Sequence, residues 1–135
     1  MSVILDEYRT SWALRYLREA EADLSTAEKT PLPSVSIRLA LTAMRKSQTA
    51  IYYSLGDPEY LAPIVNQNMT NGKKTKDTLM RILIKMEQTI QRDSRIAESV
   101  SKNAVIEEAH NFLKLASEIV DIVIKGTEES PAQPS

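Results

Sequence analysis

The chain has 135 residues, 42% of them apolar and 26% charged, with a net charge of −1, the composition of one globular domain that buries roughly two-thirds of its unfolded surface. It contains no cysteine, which excludes disulfides, thiolate metal sites and cysteine nucleophiles, and its three glycines are isolated, which excludes glycine-rich phosphate loops of the usual form. Met1 to Asp6 lacks the basic-then-apolar pattern of a secretory signal and no apolar run nears the ~20 residues that span a bilayer, so the expectation is an intracellular, cytoplasmic protein without membrane attachment.

The spacing predicts a first helix over Leu5 to Glu28. Ala13, Leu17, Ala20, Leu24 and Ala27 recur at alternating steps of four and three, with Leu5, Tyr8, Trp12 and Tyr16 widening the stripe at its start. Arg9, Arg15, Arg18, Glu19, Glu21 and Asp23 occupy the other face, and Pro31 and Pro33 end the helix.

A second helix is expected from Ser34 or Ser36, either able to cap it, to Gly56, with Ile37, Leu41, Met44, Ile51 and Leu55 inward. Beside that stripe runs one of small residues, Ser36, Ala40, Ala43, Ser47, Ala50 and Ser54, which lets another helix approach closely. From Asp57 to Gly72 the residues read as a short helical turn, Pro58 to Val65, and then a polar asparagine-rich loop. The third helix is placed at Lys74 to Arg92, with Leu79, Ile82, Leu83, Met86 and Ile90 inward and a bent continuation through Ile96 and Val100.

The fourth helix carries Val105, Ala109, Phe112, Ala116, Ile119 and Val123, and Gly126 is expected to cap it. Ile106, Leu113, Val120 and Ile124 make its apolar face wide, as for a helix central to a bundle or shared with a second subunit. The tail, Thr127 to Ser135, is rich in Glu, Pro and Ser and is expected to be disordered. The resulting fold class is all-α: a single up-and-down four-helix bundle over residues 1–126, with room for a short fifth helix.

Charge is unevenly placed. Residues 34–56 carry Arg38, Arg45 and Lys46 and no acid, and residues 73–95 carry seven basic against three acidic groups, while both ends of the chain are acidic. An anionic partner is therefore expected on the middle of the chain. There Arg38, Arg45, Lys46, Tyr52, Tyr53 and Arg81 are the candidate ligand-binding residues, with Lys73, Lys74, Lys76 and Lys85 nearby. Arginines beside aromatic rings are what phosphate pairing and base stacking of RNA or a nucleotide require. The alternative is that these cations are solvated, or paired with acids of the first and fourth helices.

Catalytic motifs are sparse. The sole histidine, His110, forms a Glu-x-x-His pair with Glu107, but a di-iron carboxylate bundle needs two such pairs on separate helices. Catalytic, metal-ligating and cofactor-binding residues are accordingly not assigned.

Trp12-Ala13, Tyr16-Leu17, Ala20, Asp23-Leu24 and Ala27, followed by Arg45-Lys46-Ser47-Gln48-Thr49-Ala50-Ile51 and Gly56, resemble the first two helices of the HEPN family (higher eukaryotes and prokaryotes nucleotide-binding domains). The likeness covers about residues 8–56. It implies a four- or five-helix bundle that dimerises and has roles in nucleotide binding, toxin–antitoxin systems or RNA cleavage, with a nucleotidyltransferase as a possible protein partner. RNA-cleaving members carry an arginine four to six residues before a histidine on a late helix. No arginine stands there before His110, and the nearest basic residue is Lys102. The resemblance therefore implies a module without the nuclease site: non-enzymatic, self-associating as a homodimer, and binding a protein or nucleotide partner. The alternative is RNA or nucleotide binding through the basic second and third helices, and a third reading, ranked last, is an enzyme in which Glu107, His110 and several tyrosines converge in a pocket.

Overall fold

The computed structural model describes residues 3–72 and 75–129, with side chains over 7–72 and 75–126. Its described residues form five helices and no strand: α1 (Val3–Lys29), α2 (Pro33–Leu55), α3 (Pro58–Asn71), α4 (Thr78–Arg95) and α5 (Lys102–Glu129). None of the described helices is long and apolar enough to cross a membrane.

Helices α1, α2 and α5 pack on one another, and α4 packs on α2 and α3. Small side chains make the first arrangement possible. Ala13, Ala20 and Ala27 of α1, Ala40, Ala43 and Ala50 of α2, and Ala109 and Ala116 of α5 are all fully buried. A methyl group at each crossing lets ridges of one helix seat in grooves of the next at short separation. Around this seam, Leu24, Ile37, Met44, Ile90 and Val105 fill one end of the core, and Ile51, Val65, Leu83 and Met86 the other.

Side-chain contacts fix the helix directions. The Ser36 hydroxyl donates to Ala27 O at 2.5 Å, joining the start of α2 to the end of α1, while Trp12 stacks on Tyr53 at the opposite end. Lys102 Nζ donates to Thr30 O at 3.0 Å, so α5 also begins where α1 finishes.

The first helix lies close to its expected bounds, though Tyr8 is exposed rather than part of the buried stripe and the Leu5 side chain lies outside the described residues. The expected serine caps of α2 are corrected. The N-cap is Leu32 without a side-chain cap, Pro33 opens the helix, and Ser36 is buried against α1. Proline suits the first turn because its missing N–H has no helical partner there in any case.

The expected loop after Val65 is instead the second half of α3. The Asp57 carboxylate accepts from Glu59 N at 3.0 Å to start this helix, and Gly72 ends it in the left-handed conformation, φ 66°. The asparagines turn inward on their own backbone: Asn66 and Asn68 donate side-chain N–H groups to Ala62 O and Ile64 O, four residues back. Val65 is buried, with Leu61 and Ala62 packed beside it, so a short apolar face anchors the helix.

Helix α4 begins at Thr78, where Asp77 caps Leu79 and Met80, and ends at Arg95. The expected start at Lys74 falls, with Lys73, outside the described residues. The expected continuation through Ile96 and Val100 is a turn, in which Val100 N donates to Ile96 O at 3.0 Å. Gly126 does not cap α5. The helix runs through it to Glu129, so residues 127–129 of the expected disordered tail are helical, and residues 130–135 lie outside the described residues.

Candidate functional site

Helices α4 and α5 stay apart along most of their length, although both belong to the core. Between them lies an open groove of about 340 Å³, lined by Thr78, Arg81, Ile82, Lys85 and Met86 of α4 and by Phe112 and Leu115 of α5. Its surface is almost wholly apolar. Arg81 and Lys85, one helical turn apart on the exposed side of α4, form its charged lip.

The sequence of α4 explains why that lip stays cationic. Asp77 is spent capping the helix. Glu87 turns inward, its side chain only 5% exposed, and accepts from Arg45 Nη1 at 2.5 Å, Arg45 Nη2 at 3.2 Å, Gln48 Nε2 at 3.0 Å and Gln91 Nε2 at 2.8 Å. Burial pushes the Glu87 carboxyl up, but the hydrogen bonds of Arg45, Gln91 and Gln48 and the charge of Arg45 outweigh it and hold the carboxyl below its ordinary value. The third acid, Asp93, is 1% exposed and pairs with Arg92 at 3.1 Å. No described acid is left for Arg81 or Lys85.

The groove closes at the far end of α4. Arg92 Nη2 reaches Glu108 of α5 at 2.9 Å, and the Glu108 carboxyl lies against Asp93. Burial, then the hydrogen bond and the negative charge of Asp93, push the Glu108 carboxyl up to about 7 against the opposing pull of Arg92. Asp93 Oδ2 has no other hydrogen-bond partner among the described residues, so a proton on Glu108 is the donor available to it. The two helices are thus clipped at one end and splayed at the other.

The six residues expected to bind a ligand do not converge. Lys46 faces α1, where it pairs with Asp23 at 2.9 Å and Glu19 at 3.3 Å. Arg45 faces α4 and Glu87. Tyr52 is buried. Burial and the charge of Glu87 push its phenol up to about 12, with Arg45 opposing, and its hydroxyl has no hydrogen-bond partner among the described residues. Tyr53 stacks against both Trp12 and Tyr16, with ring centroids 5.9 and 5.6 Å away, on the α1 side of α2. Arg38 is exposed near the start of α2, and Arg81 alone belongs to the groove.

Sequence reasoning placed Ile82, Met86 and Phe112 in the core and passed over Leu115. The one signal of the groove was the unusual girth of the apolar face on α5. His110 Nε2 lies 3.1 Å from Glu28 of α1 on an exposed surface, and Glu107 is also exposed. Among the described residues, no group of three or more His, Asp or Glu side chains could hold a metal ion. No protein-family model, curated protein or solved structure matches the chain.

Proposed function

We propose that the chain is a non-enzymatic docking module, HEPN-like in its first hairpin, that self-associates and binds a protein partner through the α4–α5 groove. On this reading α1, α2, α4 and α5 form an up-and-down four-helix bundle, to which α3 is the added fifth helix. The observation that carries the reading is the groove itself. Ile82, Met86, Phe112 and Leu115 line an open cleft with no part of the described chain to cover it. Filling such a cleft with one leucine-sized side chain contributes roughly 1.5–3 kcal/mol, so a few contacts suffice for association.

Binding of RNA or a nucleotide is the second reading. Arg38, Arg81 and Lys85 support it, since none has an acidic partner among the described residues. It is weakened by Arg45 and Lys46, whose charges are engaged, and by Tyr52, whose ring is not accessible for stacking.

The test is light scattering over a concentration series, on the wild-type chain and on Leu115→Glu, whose folding is checked by circular dichroism. Association by the wild-type chain that Leu115→Glu leaves intact supports the reading, with the groove free for its partner. A wild-type chain that stays monomeric at high micromolar concentration removes self-association, and association abolished by Leu115→Glu gives the groove to a second copy of the chain instead of a partner.

A further inference from the structure

We infer that the groove's partner is an acidic amphipathic helix of another protein, an inference that rests on the docking reading above. The shape argues for a helix. The cleft is open and lined by residues of two helices, and its volume of about 340 Å³ takes only a short row of aliphatic side chains. A helix presents such a row at positions i, i+3, i+4 and i+7, the pattern by which amphipathic helices enter grooves.

The charge argues for acid. Arg81 and Lys85 stand one turn apart on the α4 lip, where neighbouring side chains on a helix face are about 5–6 Å apart. Two carboxylates one turn apart on a partner helix have the same spacing and meet both cations at once. The basic excess of α4 is not offset at the lip, because Asp77 caps the helix and Glu87 and Asp93 are turned inward, Glu87 to Arg45 and Asp93 to Glu108. The same lip disfavours a basic helix, since it would set like charges opposite one another across the interface.

The lining argues against nucleic acid at this place. Phe112 is the one aromatic ring of the groove and it is half-buried, whereas single strands are held by stacking platforms. The stacked rings of this protein, Trp12, Tyr16 and Tyr53, lie on α1 and α2, away from the groove lining.

Fluorescence anisotropy with labelled helical peptides of about 15 residues tests the inference, one with leucines at the groove-facing positions and glutamates on both flanks. A matched peptide replaces the glutamates by lysines, another replaces the leucines by serines, and a short single-stranded RNA completes the set. The glutamate peptide is expected to bind at least tenfold more tightly than the lysine peptide, as one well-placed charge pair of about 1.4 kcal/mol or more dictates. In Arg81→Glu/Lys85→Glu, both exposed positions, that preference is expected to invert while the melting curve stays near wild type. Equal binding of the glutamate and lysine peptides overturns the acidic partner and leaves the docking groove standing. Equal binding of the serine peptide, or no binding by any peptide, overturns both. RNA that binds more tightly than the glutamate peptide and displaces it overturns the inference in favour of a nucleic-acid surface.

Discussion

Arg45 is where the sequence and the structure lead to different expectations. Read as a solvated cation, it should cost less than about 1 kcal/mol to remove. The structure makes it the partner of a buried carboxylate. Arg45→Ala leaves Glu87, 5% exposed, with two amide donors from Gln48 and Gln91 and no positive charge. Breaking a buried pair from one side costs about 3–5 kcal/mol, and the half-exposed Arg45 side chain together with the two remaining donors lowers this to about 2–3 kcal/mol. Tm should fall by roughly 6–12 °C.

The measurement is urea denaturation at neutral pH, read by circular dichroism, with the slope against denaturant unchanged. Adding Glu87→Gln to Arg45→Ala should recover more than half of the loss, because the orphaned charge is then gone. Titration supplies an independent check. In the wild type the Glu87 carboxyl is depressed, so its contribution is present above the ordinary carboxylate range, near 4.5, and is lost as pH falls through the folded value. Without Arg45, burial pushes the same carboxyl up, and the variant's deficit should shrink between pH 7 and pH 4. A loss under about 0.5 kcal/mol, or a deficit that does not change with pH, refutes the reasoning.

Three further outcomes are expected. Glu108 has a folded pKa raised to about 7, so its contribution is complete below 4.5 and lost as pH rises through 7, and stability should increase on acidification from pH 8 to pH 5. With Glu108 about a third exposed, the change is about 1–2 kcal/mol after allowance for solvent screening, and thermal melts of Glu108→Gln across that interval should show a flattened profile. Tyr52→Phe removes a buried hydroxyl that has no partner among the described residues and should leave stability unchanged or raise it by up to about 1 kcal/mol in urea titration. Ala116→Leu forces a large side chain into the buried cluster that holds Ile51, Val65 and Met86 and should cost about 1–3 kcal/mol, read as a lower Tm.

The long, strongly periodic elements were legible in the sequence. The heptad-like runs of α1 and α5 and the small-residue stripe of α2 reappear as the alanine seam, because apolar spacing and side-chain size act directly on helix packing. The second half of α3 was not legible. Asn66 and Asn68 favour turns by bonding to nearby backbone, and here that same capacity is satisfied by carbonyls one helical turn back, within the helix. Helix ends failed where a neighbour decided the outcome, as when Ser36 gave its hydroxyl to Ala27 O rather than capping α2. The candidate ligand residues failed for a related reason. Composition gives the sign of a segment's charge, but not which of its acids turn inward.

Helix α4 shows what that distinction does to function. Over residues 73–95 the sequence holds three acids among seven bases, and a helical projection alone would scatter them around the axis. Tertiary structure sorts them instead. Glu87 is turned inward to Arg45 and Asp93 to Glu108, and Asp77 is held by the free N–H groups of the first turn. Each pairing is local and has its own structural reason, yet together they remove the acids from the outer face and leave Arg81 and Lys85 beside the groove. The groove has a separate origin. Helix α5 is drawn to α1 and α2 by the alanine seam, while α4 packs on α2 and α3, so Phe112 and Leu115 are left facing Ile82 and Met86 across a gap. An apolar cleft and a cationic lip thus come from independent features of the fold and meet on one surface, and their combination selects the chemistry of the proposed partner.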